Sequence, residues 1–257
     1  ELYPVPANAK TQGETDRIIG SWFKKTGNRD KVILASKVAG PGEYTKHIRE
    51  DLSFRKEHID SAIDKGLKRL QTDYIDLFQL HWPERKTNTF GQRGFKYDEN
   101  DPWIENFESV LDALHHNIKA GKIRHIGLSN ENAWGIMRFL AASKSNATKI
   151  CTVQNPYSLL NRLFEIGSAE ICHRENVGLL AYSPLGFGVL SGKYLNGKKP
   201  ADGRVTLFPN FARYSSEQSN RATEMYAQLA VDNNMTITQM SLAFVNDRSF
   251  VTTNIIG

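Results

Sequence analysis

The chain alternates between short apolar runs and longer segments in which apolar residues recur every three or four positions. Six of the apolar runs have the length and the Val, Ile, Leu, Phe and Tyr content of strands that are buried on both faces of a sheet. Short strands that alternate with amphipathic helices predict parallel β–α–β units. The six runs cover residues 31–37, 74–82, 123–130, 150–158, 177–185 and 250–257.

The segments between these runs predict helices. Residues 59–70 place apolar side chains at helical spacing and charged side chains off that stripe. Residues 104–122 repeat the pattern, and Gly121 is placed where a glycine commonly ends a helix. Thr11 and Glu14 have the spacing of a capping box, which predicts the start of a first helix. Further helices are predicted over residues 130–144, 161–176, 216–234 and 236–246.

Two parallel architectures fit this alternation, a closed (β/α)8 barrel and an open doubly wound sheet. The open sheet typically carries a G-x-G-x-x-G turn between a strand and a helix. The segment GPGEYTK that follows the strand of Lys37 lacks the later glycine and the helix. We therefore expect an α/β fold, with residues 1–257 forming a single TIM barrel domain that is incomplete at both ends and lacks the first two strands and the final helix.

Composition excludes several classes of protein. No apolar stretch reaches about 18 residues, so we expect no membrane-spanning helix. The net charge of +5 is spread over the chain, whereas nucleic-acid binders usually concentrate Lys and Arg on one face. Cys151 and Cys172 lack the spacing of metal ligands and predict reduced thiols. With no apolar leader visible, we expect a cytoplasmic protein without a metal site.

Polar residues stand at the carboxyl ends of five predicted strands. In a parallel barrel, catalytic groups come from these ends. Each polar residue alone is more often structural, because a strand must meet water somewhere. Their convergence at one rim predicts a functional site built from Lys37, His81, Ser129 with Asn130, Gln154 with Asn155, and Tyr182 with Ser183.

Longer motifs in the same order give the site a family context. They are ELYPV, ILASKV, LFQLHWPE, IRHIGLSN, VQNPYSLLNR and LLAYSPLGFGVLSGKYLNG. With these motifs, essentially the whole chain resembles the aldo-keto reductases, and most closely their Tas-like and potassium-channel β-subunit-like branch. The resemblance implies an NADPH-dependent oxidoreductase that reduces an aldehyde or ketone.

The catalytic set of that family is Asp, Tyr, Lys and His. By resemblance, Tyr3, Lys37 and His81 match three of them, and the Asp is expected just upstream of Glu1. Contacts to the 2′-phosphate and adenine that follow the last strand of the family fold are expected beyond Gly257. Without these parts, the chain as given would not be a fully competent enzyme.

The chemistry implied for these residues is proton transfer to a carbonyl oxygen. Tyr3 would donate the proton, and Lys37 would lower its pKa, because an ammonium group at ~4 Å favours the phenolate by about one to three pKa units. His81 would orient and polarise the carbonyl as a neutral imidazole. Trp82 would provide an apolar wall that excludes water from the reaction.

The resemblance also implies a set of NADPH-binding residues. Ser129, Asn130 and Gln154 would hold the nicotinamide carboxamide, and Tyr182 would stack on the ring, although a half-buried core tyrosine is the alternative interpretation. Basic residues at 193 and 204 would bind the cofactor, although a solvated surface charge is the alternative for each. The pyrophosphate loop and these basic residues are Ser183, Pro184, Leu185, Gly186, Phe187, Lys193 and Arg204.

Two other functions are compatible with the same fold. One is a nucleotide-binding subunit that senses redox state for a partner protein, but the channel β subunits carry Asn where this chain has His81. The other is a barrel whose polar strand ends are purely structural. Small-molecule carbonyl compounds are the expected partners, and the oligomeric state is left open. Aromatic residues in segment 84–103 either line the pocket, which favours an apolar or aromatic substrate, or pack the loop onto the barrel; they are Phe90, Phe95, Tyr97 and Trp103.

Overall fold

A computed structural model describes residues 1–90, 92–146 and 148–256 of the chain. Its six strands are arranged in one sheet in the order of the chain. The first pairs with the second, the second with the third and the fifth with the sixth, each in parallel. All six predicted strands are confirmed, with tighter bounds, and Gly257 of the last prediction lies outside the described residues. The strands are β1 Ala35–Val38, β2 Ile75–Leu80, β3 Ile123–Ser129, β4 Ile150–Pro156, β5 Gly178–Tyr182 and β6 Val251–Ile255.

The first strand begins later than its apolar run. Arg29–Lys31 form a 3₁₀ turn, and the Leu34 N–H donates to the carboxylate of Asp76 at 3.0 Å. That amide is therefore satisfied by a side chain, and strand pairing starts at Ala35, which lies opposite Leu77.

Helices separate the strands, as expected. The periodicity identifies them well, apart from the four-residue α6, which lacks a recognisable stripe. The predicted helix over residues 161–176 consists of a 3₁₀ turn, Leu163–Ile166, and α5, which meet at Gly167. The helices are α1 Glu14–Thr26, α2 Lys56–Leu70, α3 Phe107–Lys119, α4 Ala133–Asn146, α5 Ser168–Glu175, α6 Arg204–Leu207, α7 Glu217–Asp232 and α8 Ile237–Asn246.

Of two predicted helix ends, one is confirmed and the other is wrong. Gly121 follows the end of α3 with a φ of 73°, a left-handed conformation that favours glycine, so this stop is confirmed. The capping box at Thr11 is wrong, because the N-cap of α1 is Gly13 and no side chain caps it. Glu14 instead binds Arg17 at 2.7 Å, and the Gly13 N–H donates to the carbonyl of Tyr3 at 3.1 Å. The start of α1 thus holds the backbone of Tyr3.

The chain divides into two compact units, Glu1–Val153 and Gln154–Gly257. The first has its core between the helices and β2, all six residues of which are buried. Full burial of an aliphatic side chain such as Ile59, Ile63 or Leu111 contributes about 1.5–3 kcal/mol. The second unit is centred on Tyr157, whose ring stacks on Phe244 at 5.6 Å. The expectation of a single domain remains a prediction.

The alternation of parallel strands and helices confirms the α/β class and is consistent with a (β/α)8 barrel that lacks some of its elements. Within the described ranges, no helix is long and apolar enough to cross a membrane. The same residues contain no group of three or more His, Cys, Asp or Glu that could hold a metal ion. Both cysteines are free, and Cys172 is buried.

Candidate active site

Tyr3 and His81 come together although 78 residues separate them. His81 follows the last residue of β2, and its N–H donates to the carbonyl of Val38 on β1 at 3.0 Å. The Tyr3 hydroxyl lies 3.3 Å from His81 Nε2, and the two ring centroids are 5.4 Å apart. A hydroxyl and an imidazole at hydrogen-bond distance can relay or share a proton.

Lys37 of β1 is the third member of this group. Its ammonium nitrogen lies 5.8 Å from the centroid of the Tyr3 ring. Burial lowers the pKa of Lys37 to about 8, although the carboxylate of Asp16 acts in the opposite direction. The group is therefore mostly charged at neutral pH and loses its charge in mildly alkaline solution.

His81 is neutral in this environment. Burial, reinforced by the nearby charge of Lys37, holds the pKa of His81 well below its ordinary value. A neutral imidazole has one donor nitrogen and one acceptor nitrogen. Nδ1 is buried and has no hydrogen-bond partner in the described part of the chain. The contact with the Tyr3 hydroxyl uses the other nitrogen, Nε2.

The expected effect of Lys37 on Tyr3 is not found. Burial raises the pKa of Tyr3, whereas the family resemblance implies that the Lys37 ammonium lowers it. Partial burial of the phenol disfavours the phenolate, and the Lys37 ammonium, 5.8 Å from the ring centroid, does not reverse this effect. Tyr3 is therefore a hydroxyl that keeps its proton until a neighbouring group accepts it.

The position of the Trp82 side chain beside His81 is fixed by contacts with the loop after β1. Its indole Nε1 donates to the carbonyl of Pro41 at 2.9 Å. A Cβ at Gly40 would lie 2.4 Å from that nitrogen, so only glycine lets the chain pass this close to the indole. The centroid of the Trp82 ring is 4.8 Å from that of His81. The loop after β1 thereby fixes the aromatic wall next to the imidazole.

Two partly exposed aromatic residues flank Trp82, and we call Tyr44, Trp82 and Phe90 the aromatic rim. Their ring centroids lie 5.6 Å (Tyr44) and 5.7 Å (Phe90) from that of Trp82. Tyr44 is 51% exposed and Phe90 43% exposed, which leaves apolar surface beside His81. Burial, with a smaller effect of nearby Tyr3, raises the pKa of Tyr44 to about 12.

Tyr44 was not predicted as a site residue, and the four aromatic residues predicted in segment 84–103 have different environments. Tyr44 lies in a loop without periodicity, and its only signal is an aromatic residue soon after Lys37. Phe95 and Tyr97 are exposed, whereas Trp103 packs edge-on against Phe107 of α3. Of the four, Phe90 belongs to the rim, with its ring centroid 5.7 Å from that of Trp82, and Gly91 lies outside the described residues.

Ser129 and Asn130 lie at the end of β3 and reach His81. Asn130 has a left-handed backbone with a φ of 53°. Its Nδ2 donates to the carbonyl of His81 at 2.9 Å and lies 3.2 Å from Ser129 Oγ. The structure therefore brings five of the predicted residues together in the first unit, namely Tyr3, Lys37, His81, Ser129 and Asn130.

The second unit contains the other predicted residues. Gln154 is buried, and the Tyr182 carbonyl accepts the Tyr157 N–H at 3.2 Å. Ser183, Gly186, Phe187 and Gly188 all have positive φ values, between 55° and 92°. Backbone turns that enter the left-handed region can form concavities that bind anions. Pro184 is buried and Leu185 partly buried within the same loop.

Basic side chains surround this loop. A Cβ at Gly188 would lie 3.0 Å from Lys193 Cε, so the lysine crosses directly over the glycine. The guanidinium carbon of Arg204 lies 5.8 Å from the centroid of Phe187, and that of Arg213 lies 5.3 Å from it. Lys193 and Arg204 were predicted, whereas Arg213 was missed because a single arginine between aromatic residues gives no spacing signal. The three cations make this loop suited to an anionic ligand.

Known proteins share much of this sequence. The model of the Aldo/keto reductase family matches residues 1–257. Protein tas of Escherichia coli (strain K12) is 50% identical over 259 residues, an alignment that covers 100% of this chain and 75% of that protein. An aldo-keto reductase of Babesia bovis is 37% identical over 241 residues, covering 88% of this chain and 85% of its own length.

A further relative carries a cofactor in its name. Aldo-keto reductase yakc [NADP(+)] of Schizosaccharomyces pombe is 33% identical over 240 residues, covering 91% of this chain and 63% of that protein. The match over the full length, together with the Tas-like similarity, confirms the family and the branch that the motifs indicated. The chain belongs to the aldo/keto reductase family of oxidoreductases.

Proposed function

We propose that this protein reduces an aldehyde or ketone with NADPH, using Tyr3, Lys37 and His81. The observation that carries the proposal is the 3.3 Å contact between the Tyr3 hydroxyl and His81 Nε2. The Lys37 ammonium lies beside the ring of Tyr3. These groups form a proton donor, an orienting imidazole and a cation. Their arrangement suits a reaction in which negative charge develops on one oxygen atom.

Carbonyl reduction needs a hydride at carbon and a proton at oxygen. Bound NADPH supplies the hydride. The Tyr3 hydroxyl gives its proton to the carbonyl oxygen, while His81 donates a hydrogen bond from Nε2 to the same oxygen and fixes its direction. The charge of Lys37 stabilises the phenolate that remains on Tyr3, and Trp82 keeps water away from the reacting carbon.

The residues in each unit fit the parts of this cofactor. In the first unit, the hydroxyl of Ser129 and the amide of Asn130 suit a carboxamide, which both donates and accepts hydrogen bonds. In the second unit, the turn at residues 183–188 and the cations of Lys193, Arg204 and Arg213 suit phosphate groups. By family resemblance, Gln154 would assist the carboxamide and Tyr182 would stack on the nicotinamide.

The aromatic rim favours a substrate with an apolar or aromatic group next to its carbonyl. Tyr44 and Phe90 leave ring surface exposed on either side of Trp82, and such surface gains most from a flat apolar partner. All three residues of the rim are uncharged aromatic residues, so the rim itself forms no ion pair with a carboxylate or phosphate ester. We therefore expect benzaldehyde-like compounds to be better substrates than short aliphatic aldehydes.

The function can be tested by following NADPH oxidation with full-length protein. We expect NADPH to bind with a change in its fluorescence, and a benzaldehyde to be reduced with a kcat/KM at least tenfold above that of propionaldehyde. Phe90→Ala should reduce the ratio of kcat/KM between benzaldehyde and propionaldehyde, since it removes the ring on one side of the rim. Phe95→Ala is a matched control, because Phe95 is an exposed phenylalanine in the same loop.

Three other results would contradict all or part of the proposed function. Folded protein that does not bind NADPH at high micromolar concentration would exclude the oxidoreductase mechanism. Binding without turnover of any aldehyde would favour the redox-sensing regulatory subunit. Equal activity on both aldehydes would leave the reductase in place and exclude the proposed substrate preference.

The pH dependence of the reaction should follow Lys37. Its pKa of about 8 means that the ammonium is present below that value and lost as pH rises through it. We expect kcat/KM to fall above about pH 8. Since the pKa of His81 is well below its ordinary value, His81 should stay neutral and produce no fall between about pH 6 and 7.

Lys37→Arg separates this effect from general alkaline loss of activity. A guanidinium remains charged beyond about pH 12, so the variant should have lower activity but no decline near pH 8. An unchanged decline in the variant would show that another group titrates there. The measurement is kcat/KM for one aldehyde from pH 5.5 to 9.5 with saturating NADPH.

A further inference from the structure

A buried ion pair joins the two loops that follow β2 and β3. Arg85 and Glu131 form it through two parallel contacts, one of them 2.9 Å between Nη1 and Oε2. Their side chains are only 8% and 3% exposed. A two-pronged guanidinium–carboxylate contact fixes relative orientation as well as distance.

Further hydrogen bonds extend the pair into a network. Arg85 Nη2 donates to Asn132 Oδ1 at 3.1 Å, and Asn132 Nδ2 donates to Thr87 Oγ1 at 2.7 Å. The Asn132 N–H donates to the Glu131 carboxylate at 2.7 Å. At Gly135, a Cβ would lie 2.3 Å from Glu131 Cδ, so the first turn of α4 packs directly on the pair. The contacts leave these loops little freedom to shift against each other.

The same two loops are also joined by a hydrogen bond from Asn130 to His81. Asn130, the neighbour of Glu131, donates to the carbonyl of His81, four residues before Arg85. Two interactions therefore join the loops, namely the hydrogen bond from Asn130 to His81 and the ion pair between Glu131 and Arg85. His81 and Arg85 are four residues apart in one loop, and Asn130 and Glu131 are adjacent in the other. A displacement of the ion pair is therefore expected to displace the hydrogen bond as well.

A small cavity of about 20 Å³ adjoins the pair, and Arg85 and Glu131 line it together with Trp82, Trp103 and Phe107. A buried ion pair seldom adds stability relative to apolar residues of the same size, and burial raises the pKa of Glu131 although Arg85 opposes that effect. Geometric control is the better explanation for its presence.

We infer that the Arg85–Glu131 pair is a positioning device that holds His81, through Asn130, at the distance from Tyr3 needed for turnover. The inference rests on the proposed function, since it assigns the pair a role in the same reaction. Neither residue touches the reacting atoms. Their contribution is to keep the imidazole aligned, and displacement of a reacting group by about 1 Å can cost on the order of 100-fold in rate.

Glu131→Gln tests this inference. The substitution keeps the side-chain shape and removes the charge that holds Arg85. We expect kcat to fall about 10- to 100-fold in folded protein, with the KM for the aldehyde changed less than about threefold. Glu105→Gln is the matched control, because it breaks the partly exposed Glu105–Arg138 pair close to α3 and should leave kcat unchanged. Arg85→Lys, which keeps the charge and loses the two-pronged contact, provides a milder variant if Glu131→Gln does not fold.

Combination with His81→Gln separates positioning from general stabilisation. If Glu131 acts through His81, Glu131→Gln should have little further effect on kcat in the His81→Gln background. Independent, multiplicative losses would overturn the inference. So would a Glu131→Gln variant whose only defect is a lower free energy of unfolding, with the kcat of the parent.

A spectroscopic readout keeps the inference distinct from the proposed function. The imidazole ¹⁵N resonances of His81, assigned by comparison with His81→Gln, should shift in Glu131→Gln and stay unchanged in Glu105→Gln. Unmoved resonances in Glu131→Gln would refute positioning even if the parent is an active reductase. A parent without turnover, but with shifted resonances in Glu131→Gln, would refute the reductase and retain the structural link.

Discussion

Replacing Tyr3 by phenylalanine is expected to lower turnover by a factor of about 10² to 10⁴, the usual contribution of a positioned proton donor. The change keeps the ring, whose centroid is 5.4 Å from that of His81, and deletes the hydroxyl with its hydrogen bond to His81. NADPH affinity should remain nearly the same, since the hydroxyl contacts His81 and the proposed substrate. The measurement is steady-state NADPH oxidation with a benzaldehyde, together with a fluorescence titration of NADPH.

The controls for this experiment distinguish roles within the site. Tyr97→Phe removes a hydroxyl from an exposed tyrosine and should have no effect. His81→Gln should cost less than Tyr3→Phe, because an amide can still donate one hydrogen bond to the carbonyl oxygen. The two losses should not add, since both groups act on one oxygen. A Tyr3→Phe variant that turns over like the parent would exclude Tyr3 as the proton donor.

Replacing Asp76 by asparagine is expected to lower the free energy of unfolding by about 3 kcal/mol. The buried Asp76 carboxylate accepts the Leu34 N–H at 3.0 Å and an Arg29 N–H at 2.8 Å. Arg124 also reaches it at 2.8 Å, but that side chain is half exposed and adds little. Arg29 and Arg124 lie 3.9 and 3.8 Å from the ring centroid of Tyr74, so the loss of the carboxylate leaves two cations facing each other across that ring.

The pH dependence of this stability effect has a definite sign. Although burial acts to raise it, the hydrogen bonds from Leu34 and Arg29 hold the pKa of Asp76 below its ordinary value. The stabilisation is therefore complete above the pKa of the unfolded chain and is lost as pH falls through the lower value in the folded state. Urea unfolding should show the full difference between parent and variant at pH 7, and a smaller one below about pH 4.

Asp64→Asn is the comparison for this effect. Asp64 pairs with Lys122 at 2.6 Å on the surface, with both side chains more than one third exposed. Such a pair is worth about 1 kcal/mol or less. If both substitutions destabilise the protein equally, burial of Asp76 is not the reason for its effect.

The fold could be predicted well because its signals are local. Strand and helix periodicity depend on residues within about ten positions of each other, and β2 and α2 lie close to where the pattern placed them. The failure at Thr11 shows the limit of such signals. Its spacing to Glu14 suits a cap, but the backbone contact between Gly13 and Tyr3 determines where α1 begins.

The site could be predicted in part, for a related reason. Lys37, His81 and Asn130 follow apolar runs, and the topology of a parallel sheet brings strand ends together. Tyr44 and Arg85 carry no periodic signal, and their partners lie 38 to 46 residues away along the chain. The pKa of Tyr3 depends on solvent exclusion in three dimensions, which sequence spacing does not encode.

The close packing of Trp82 against Gly40 limits which substitutions and insertions the loop after β1 can accept. The indole occupies the space that a side chain at Gly40 would need, and it is hydrogen-bonded to Pro41. A substitution at residue 40 therefore requires a smaller residue at 82, and a loop insertion after β1 must spare Gly40 and Pro41. Under the proposed function, exchanging Tyr44 or Phe90 should alter the substrate range while the Gly40–Trp82 contact is kept.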